Sequence, residues 1–159
     1  MKDVFDSPLI IGLSARHLIA ILSGLLLILS PLLLWTVFCD NGVQRKLDGF
    51  ELQREVGAFA LLLLPLCGLA AMLSGFIHSR FPELRGKKVV LAFGLSIAFL
   101  ALLALLATTV QAELWMSNVT GTSFLNNLMP GWYAALTGTL LLLFALLVPK
   151  QKKLFPERE

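Results

Sequence analysis

Four uncharged stretches, residues 18–38, 56–77, 89–110 and 131–148, constrain this chain more than any other feature. None of them contains Asp, Glu, Lys, Arg, His, Asn or Gln. Each is long enough, at about 1.5 Å per helical residue, to match a hydrocarbon core of about 30 Å. Inside hydrocarbon every backbone N–H and C=O must find its partner within protein, and the stretches lack the alternating polar and apolar pattern of a barrel strand. Helix is the remaining solution. The expected fold is an all-α integral membrane protein, a single four-transmembrane-helix bundle over residues 1–159. Composition agrees: 57% of the residues are hydrophobic and 14% charged, with a mean hydropathy of +0.83. These values exclude a soluble enzyme, a nucleic-acid-binding domain, a disordered chain and a disulfide-rich secreted scaffold.

Lys and Arg set the expected orientation. Lys2 and Arg16 precede the first stretch, Arg80, Arg85, Lys87 and Lys88 lie between the second and third, and Lys150, Lys152, Lys153 and Arg158 follow the fourth. The two remaining loops hold only Arg45, Lys46 and Arg54. Basic flanks stay on the cytoplasmic side, so both termini are expected there, with two short non-cytoplasmic loops. Trp35, Trp115, Trp132 and Tyr133 fall near the non-cytoplasmic ends of the stretches, where amphipathic rings favour the interface or contact a partner or lipid. The first stretch is too long for a signal-peptide core, and Cys39-Asp40-Asn41-Gly42 after it offers no small-residue cleavage pattern, so it reads as an uncleaved anchor. An apolar patch before it, Val4 to Leu13, is expected at the cytoplasmic interface. Short length and compact loops point to a bacterial cytoplasmic membrane.

The loops carry local signals. Asp40-Asn41-Gly42 and Asp48-Gly49 are turn sequences flanking an alternating Val43, Arg45, Leu47, which allows a small hairpin in the first non-cytoplasmic loop. The alternative is that Phe50 to Glu55 extends the second helix outward. In the second such loop, Phe124, Leu125, Leu128 and Met129 share one helical face and read as an interfacial helical turn, after which Pro130 opens the fourth span.

Chemical motifs are scarce. No CxxC, HExxH, phosphate-binding glycine loop or nucleophile elbow occurs. His17 and His78 sit at cytoplasmic helix ends, and two imidazoles do not complete a zinc site. Cys39 and Cys67 lie at different depths, too far apart for a disulfide. Asn118-Val119-Thr120 matches a glycosylation acceptor on the expected outer side, a pattern that is common by chance. No catalytic residue, cofactor or metal ligand is expected, and charged-substrate pathways within the membrane would need polar groups that the spans lack. What the spans do carry is small residues four apart: Ala70 and Ser74, Ala71 and Gly75, Ala92 and Ser96, Gly94 and Ala98, Ala134 and Gly138. Such pairs let helix backbones approach closely in lipid. Pro31 and Pro65 are expected to kink the first two helices.

The functional expectation is a noncatalytic membrane subunit or scaffold that packs against a larger membrane assembly. Expected partners are membrane lipids and either a larger integral membrane protein or further copies of the chain, and no nucleic acid. Trp35, Trp115, Trp132, Tyr133, Ala71, Gly75 and Gly138 are the candidate contact residues. A second expectation is a small transporter or lipid-handling protein whose crevice forms at the Pro31 and Pro65 kinks.

Overall fold

The computed structural model describes residues 15–40, 42–80 and 88–147. The N-terminal apolar patch, the loop 81–87 and the basic tail lie outside them, as do the side chains of His17 and His78. In chain order the described elements are helix α1 (Ala15–Leu29), a 3-10 turn (Ser30–Leu32), strands β1 (Leu34–Asp40) and β2 (Val43–Asp48), and helix α2 (Gly49–Val56). A second 3-10 turn (Phe59–Leu62) leads into α3 (Leu63–Arg80), followed by α4 (Lys88–Thr120), a third 3-10 turn (Leu125–Asn127) and α5 (Pro130–Leu147).

The chain is mostly helical but not all-α. The first uncharged stretch does not stay helical to Phe38: α1 ends at Leu29, and residues from Leu34 onward pair with β2. Pro31 cannot donate to an α-helical ladder, and the run Trp35-Thr36-Val37-Phe38 after it is aromatic and β-branched, the composition of a strand. Hydropathy alone does not separate such a run from helix. The hairpin expected at Asp40-Asn41-Gly42 is present, with Asp40 opposite Val43 and Gly42 at a φ of 79° that a side chain would resist. Asp48 then closes the hairpin and opens α2. Its carboxylate accepts from the Glu51 N–H at 2.8 Å, and the Glu51 carboxylate accepts from the Asp48 N–H at 3.3 Å, a reciprocal cap. Residues 49–56 therefore form their own helix, ended by Gly57 at a φ of 72°.

The prolines mark ends rather than kinks. Pro31 lies buried in the turn that terminates α1, with Gly49 packed directly on it. Pro65 stands in the first turn of α3, where its missing N–H has no intrahelical acceptor to lose. Neither bends a helix at mid-length, which removes the geometric premise of a crevice at proline kinks.

The four long helices form a ring. α1 packs on α3 and α5, α4 packs on the same two, and α1 and α4 lie diagonally. Two helical segments, Phe59–Phe76 and Leu91–Thr120, are long and apolar enough to cross a membrane; the apolar segments Leu18–Leu32 and Pro130–Leu146 are shorter.

The side-chain distribution on α4 is inverted relative to a water-soluble helix. Its buried face is rich in small residues, with Ala98, Ala101, Ala104 and Ala112 at 2% exposure or less beside Ile97, Leu105 and Met116, whereas Phe99, Leu103, Leu106, Val110 and Leu114 point outward. Small residues let the backbones approach, as helix packing in lipid requires. The closest approach is between α1 and α3 at Gly24 and Gly68, where each glycine faces the carbonyl oxygen of the other. Buried hydroxyls bond within their own segment: Ser23 to the Ala20 carbonyl, Ser30 to Leu27, Thr108 to Ala104 and Thr139 to Ala135, all at 2.8–3.0 Å. These four hydroxyls are satisfied without reaching across the bundle.

Candidate interaction surface at the hairpin end

α4 outgrows the bundle. Trp132 at the start of α5 donates its indole N–H to the Thr109 hydroxyl at 2.9 Å, which sets the first turn of α5 level with Thr109. From there α4 continues to Thr120, about 16 Å farther at the usual helical rise. The third uncharged stretch was expected to end at Val110 and give way to a loop. The helix continues because Ala112 and Met116 keep the buried face in register against the hairpin.

Around this projection the hairpin, α2 and the third 3-10 turn form a cap continuous with the bundle core. Trp35 is its keystone and is completely buried. Its indole N–H donates to the Ser30 carbonyl at 2.7 Å, its own carbonyl accepts the Met129 N–H at 3.1 Å, and Gly131 leaves the space its ring fills. Thr36 bridges to Leu128 in antiparallel fashion and brings its hydroxyl 3.6 Å from the Met116 sulfur. Phe38 meets Trp115 edge to face, with ring centroids 5.6 Å apart. Glu113 organises the last loop, where one carboxylate oxygen accepts from both the Ser123 hydroxyl and the Leu125 N–H at 3.1 Å. Residues 125–127 are thus a 3-10 turn held by α4, with Leu125 half-exposed and Phe124 buried.

The candidate contact residues divide into two groups. Trp35, Ala71, Gly75 and Gly138 are buried within the chain. Gly138 lies against the Ser23 carbonyl and Leu27 of α1, so it serves the α1–α5 contact. Trp115 and Trp132 are partly buried, and Tyr133, edge to face with Trp132, is 52% exposed. Of the seven, Tyr133 alone is exposed. Val110, Leu114, Val119 and Leu125 are not among the candidate contact residues, yet all are more than half exposed on the cap. The i, i+4 spacing of Val110 and Leu114 carried that signal.

Two shallow clefts open on the cap. One, of about 310 Å³, lies between β2 and α2 and is lined by Arg45, Lys46, Leu47, Glu51, Arg54 and Glu55. The other, of about 380 Å³, runs beside β1 and is lined by Val37, Phe38, Cys39, Gln44, Thr122, Asn127 and Met129. Arg45 and Glu55 form an ion pair at 3.5 Å across the first. Cys39 is exposed and Cys67 buried, and both are free thiols. Among the described residues no three His, Cys, Asp or Glu gather as a metal site would require. Neither a known protein family, a curated protein nor a solved structure matches this chain.

Proposed function

We propose that the chain crosses a membrane four times, with α1, α3, α4 and α5 as the spans and the hairpin cap on the non-cytoplasmic side, and that it serves as a noncatalytic subunit of a larger membrane assembly. The Lys and Arg distribution supports that orientation. Lipid as the surrounding solvent is supported by α4, which is apolar all round from Leu91 to Val110 and leaves Phe93, Phe99, Leu103 and Leu106 outside the protein. With Lys88 to Thr109 filling about 33 Å, the remainder of α4 stands clear of the hydrocarbon.

The observation that carries the partner is the apolar stripe on this projection. Val110, 57% exposed, starts it at the edge of the hydrocarbon, and Leu114, 60% exposed, lies about 7.5 Å above Thr109, at the outer limit of the headgroup layer. Apolar side chains grouped in water mark a surface that another protein covers. The expected partner is an integral membrane protein whose own extramembrane part lies against this stripe. Purification in a mild detergent is expected to bring it down in fixed stoichiometry, and Leu114→Glu is expected to release it while leaving the thermal stability of the purified chain unchanged. A monomer or homo-oligomer persisting across several mild detergents and in native membranes would overturn the proposal.

A further inference from the structure

The cleft between β2 and α2 presents both signs of charge over a very short distance, and its charges are unevenly committed. Arg45 and Glu55 are paired, and Glu51 reaches back to the Asp48 N–H. Lys46 and Arg54 form no ion pair among the described residues. On α2, Glu51 and Glu55 stand one turn apart on one face, with Arg54 beside them and Phe50, 43% exposed, one turn before Arg54.

The cleft also lies close to the expected lipid surface. Gly49 packs on Pro31 at the end of α1, so α2 starts level with the end of a span, and the neighbouring Leu32 is 62% exposed. Lys46 is two residues along β2 from Asp48, which raises it by at most about 7 Å. The headgroup layer on each side of the hydrocarbon is about 5–8 Å deep. The charged cleft therefore falls within that layer, while Phe50 and Leu32 are placed to meet the upper acyl chain.

We propose that this cleft binds the headgroup of a phosphatidylethanolamine-type lipid in the non-cytoplasmic leaflet, with Lys46 and Arg54 on the phosphate and Glu51 and Glu55 on the ammonium. The two groups of that headgroup are separated by two carbons, which suits cations and carboxylates packed side by side. A primary ammonium has three N–H donors for the carboxylates. A quaternary ammonium has none and is held by aromatic faces, and no aromatic residue lines the cleft. A purely anionic headgroup would leave the two carboxylates opposed by like charge. This inference rests on the four-span reading, and the experiment separates the two.

Carbonate washing of membranes carrying the full chain comes first. Release of the chain would overturn both the four-span reading and this site. With the chain retained, the protein is equilibrated in vesicles of equal phosphatidylethanolamine, phosphatidylcholine and phosphatidylglycerol with identical acyl chains, and retained lipids are counted by native mass spectrometry. The expected result is about fivefold enrichment of the ethanolamine lipid over the choline lipid, the ratio for about 1 kcal/mol. E51Q/E55Q is expected to abolish that preference, and K46Q/R54Q to lower retention of both lipids. Equal retention of the three lipids by the wild type, or enrichment of the glycerol lipid above the ethanolamine lipid, would overturn the site without touching the four-span reading. So would unchanged preferences in both variants. The four side chains are at the surface and Gln retains the capping geometry at position 51, so the variants are expected to keep the wild-type unfolding temperature.

Discussion

Gly24 on α1 and Gly68 on α3 meet backbone to backbone: a methyl carbon built on either would lie 2.5 Å from the carbonyl oxygen of the other. Neither carbonyl can move without dragging its helix. Gly24→Ala and Gly68→Ala are therefore expected to be destabilising despite the roughly 1 kcal/mol by which Ala outranks Gly in helix propensity, because overpacking against backbone costs about 1–3 kcal/mol or more. Gly94→Ala is the control, since its new methyl would meet only the flexible end of Leu146. It is expected to be neutral or slightly stabilising. Denaturant titration in mixed micelles, followed by circular dichroism, reads all three, and a Gly24→Ala protein as stable as wild type would refute the close crossing.

The two cysteines test the orientation. Cys39 is exposed on β1 and Cys67 is 3% exposed on α3. A membrane-impermeant maleimide added to intact cells is expected to modify Cys39, as Cys39→Ser will verify, and to spare Cys67 until the protein is denatured. Labelling of Cys39 only after the cells are broken would place the cap on the cytoplasmic side.

Trp35 couples cap to bundle, and its indole hydrogen bond to Ser30 can be removed while most of its bulk is kept. Trp35→Phe is expected to cost about 1–3 kcal/mol, the penalty for a buried polar group losing its partner. That cost is at the low end, because the Ser30 carbonyl also accepts from the Leu33 N–H at 3.2 Å. Trp35→Ala removes the ring as well and is expected to cost about 3–5 kcal/mol. Thermal unfolding of the two variants measures the difference.

Much of this architecture was legible beforehand, and the misreadings have physical causes. The four long helices and the turn at Asp40-Asn41-Gly42 follow from apolar run length and from turn chemistry. The first stretch was misread because Trp35-Thr36-Val37-Phe38 is uncharged like the helix before it, and hydropathy does not distinguish a strand buried in the cap from the end of a span. The reach of α4 was missed because Gln111 ends the apolar run and Glu113 follows it. The charge of Glu113 is accommodated by the Ser123 hydroxyl and the Leu125 N–H, contacts that depend on a loop ten and twelve residues downstream. The Gly24–Gly68 crossing was invisible because it joins one glycine from each of two helices, whereas the small-residue pairs were sought within single helices. Arg45 and Glu55, ten residues apart in sequence, come together only once the hairpin and α2 fold back on each other.

Glu113 offers a further check. Removing the carboxylate in Glu113→Ala withdraws two hydrogen bonds to a charged acceptor, each worth about 1.5–3 kcal/mol. Amide hydrogen exchange across residues 123–127 is expected to rise at least tenfold while the α1–α3 contact keeps its protection. Glu113→Gln retains an acceptor oxygen and is expected to show a smaller increase. Uniform acceleration throughout the chain would mean that the residue supports global stability instead of this loop.

The seat of Trp35 bears on how the molecule is assembled. Its ring leans on Gly131 and its carbonyl on Met129, so the first described helix is latched by the last. While a ribosome is still making α3 and α4, the hairpin has already emerged with half of that seat missing. Assembly therefore cannot finish pairwise as each helix forms: the indole stays unsheltered until α5 arrives, and a chain stalled before that point still shows the face that α5 would close.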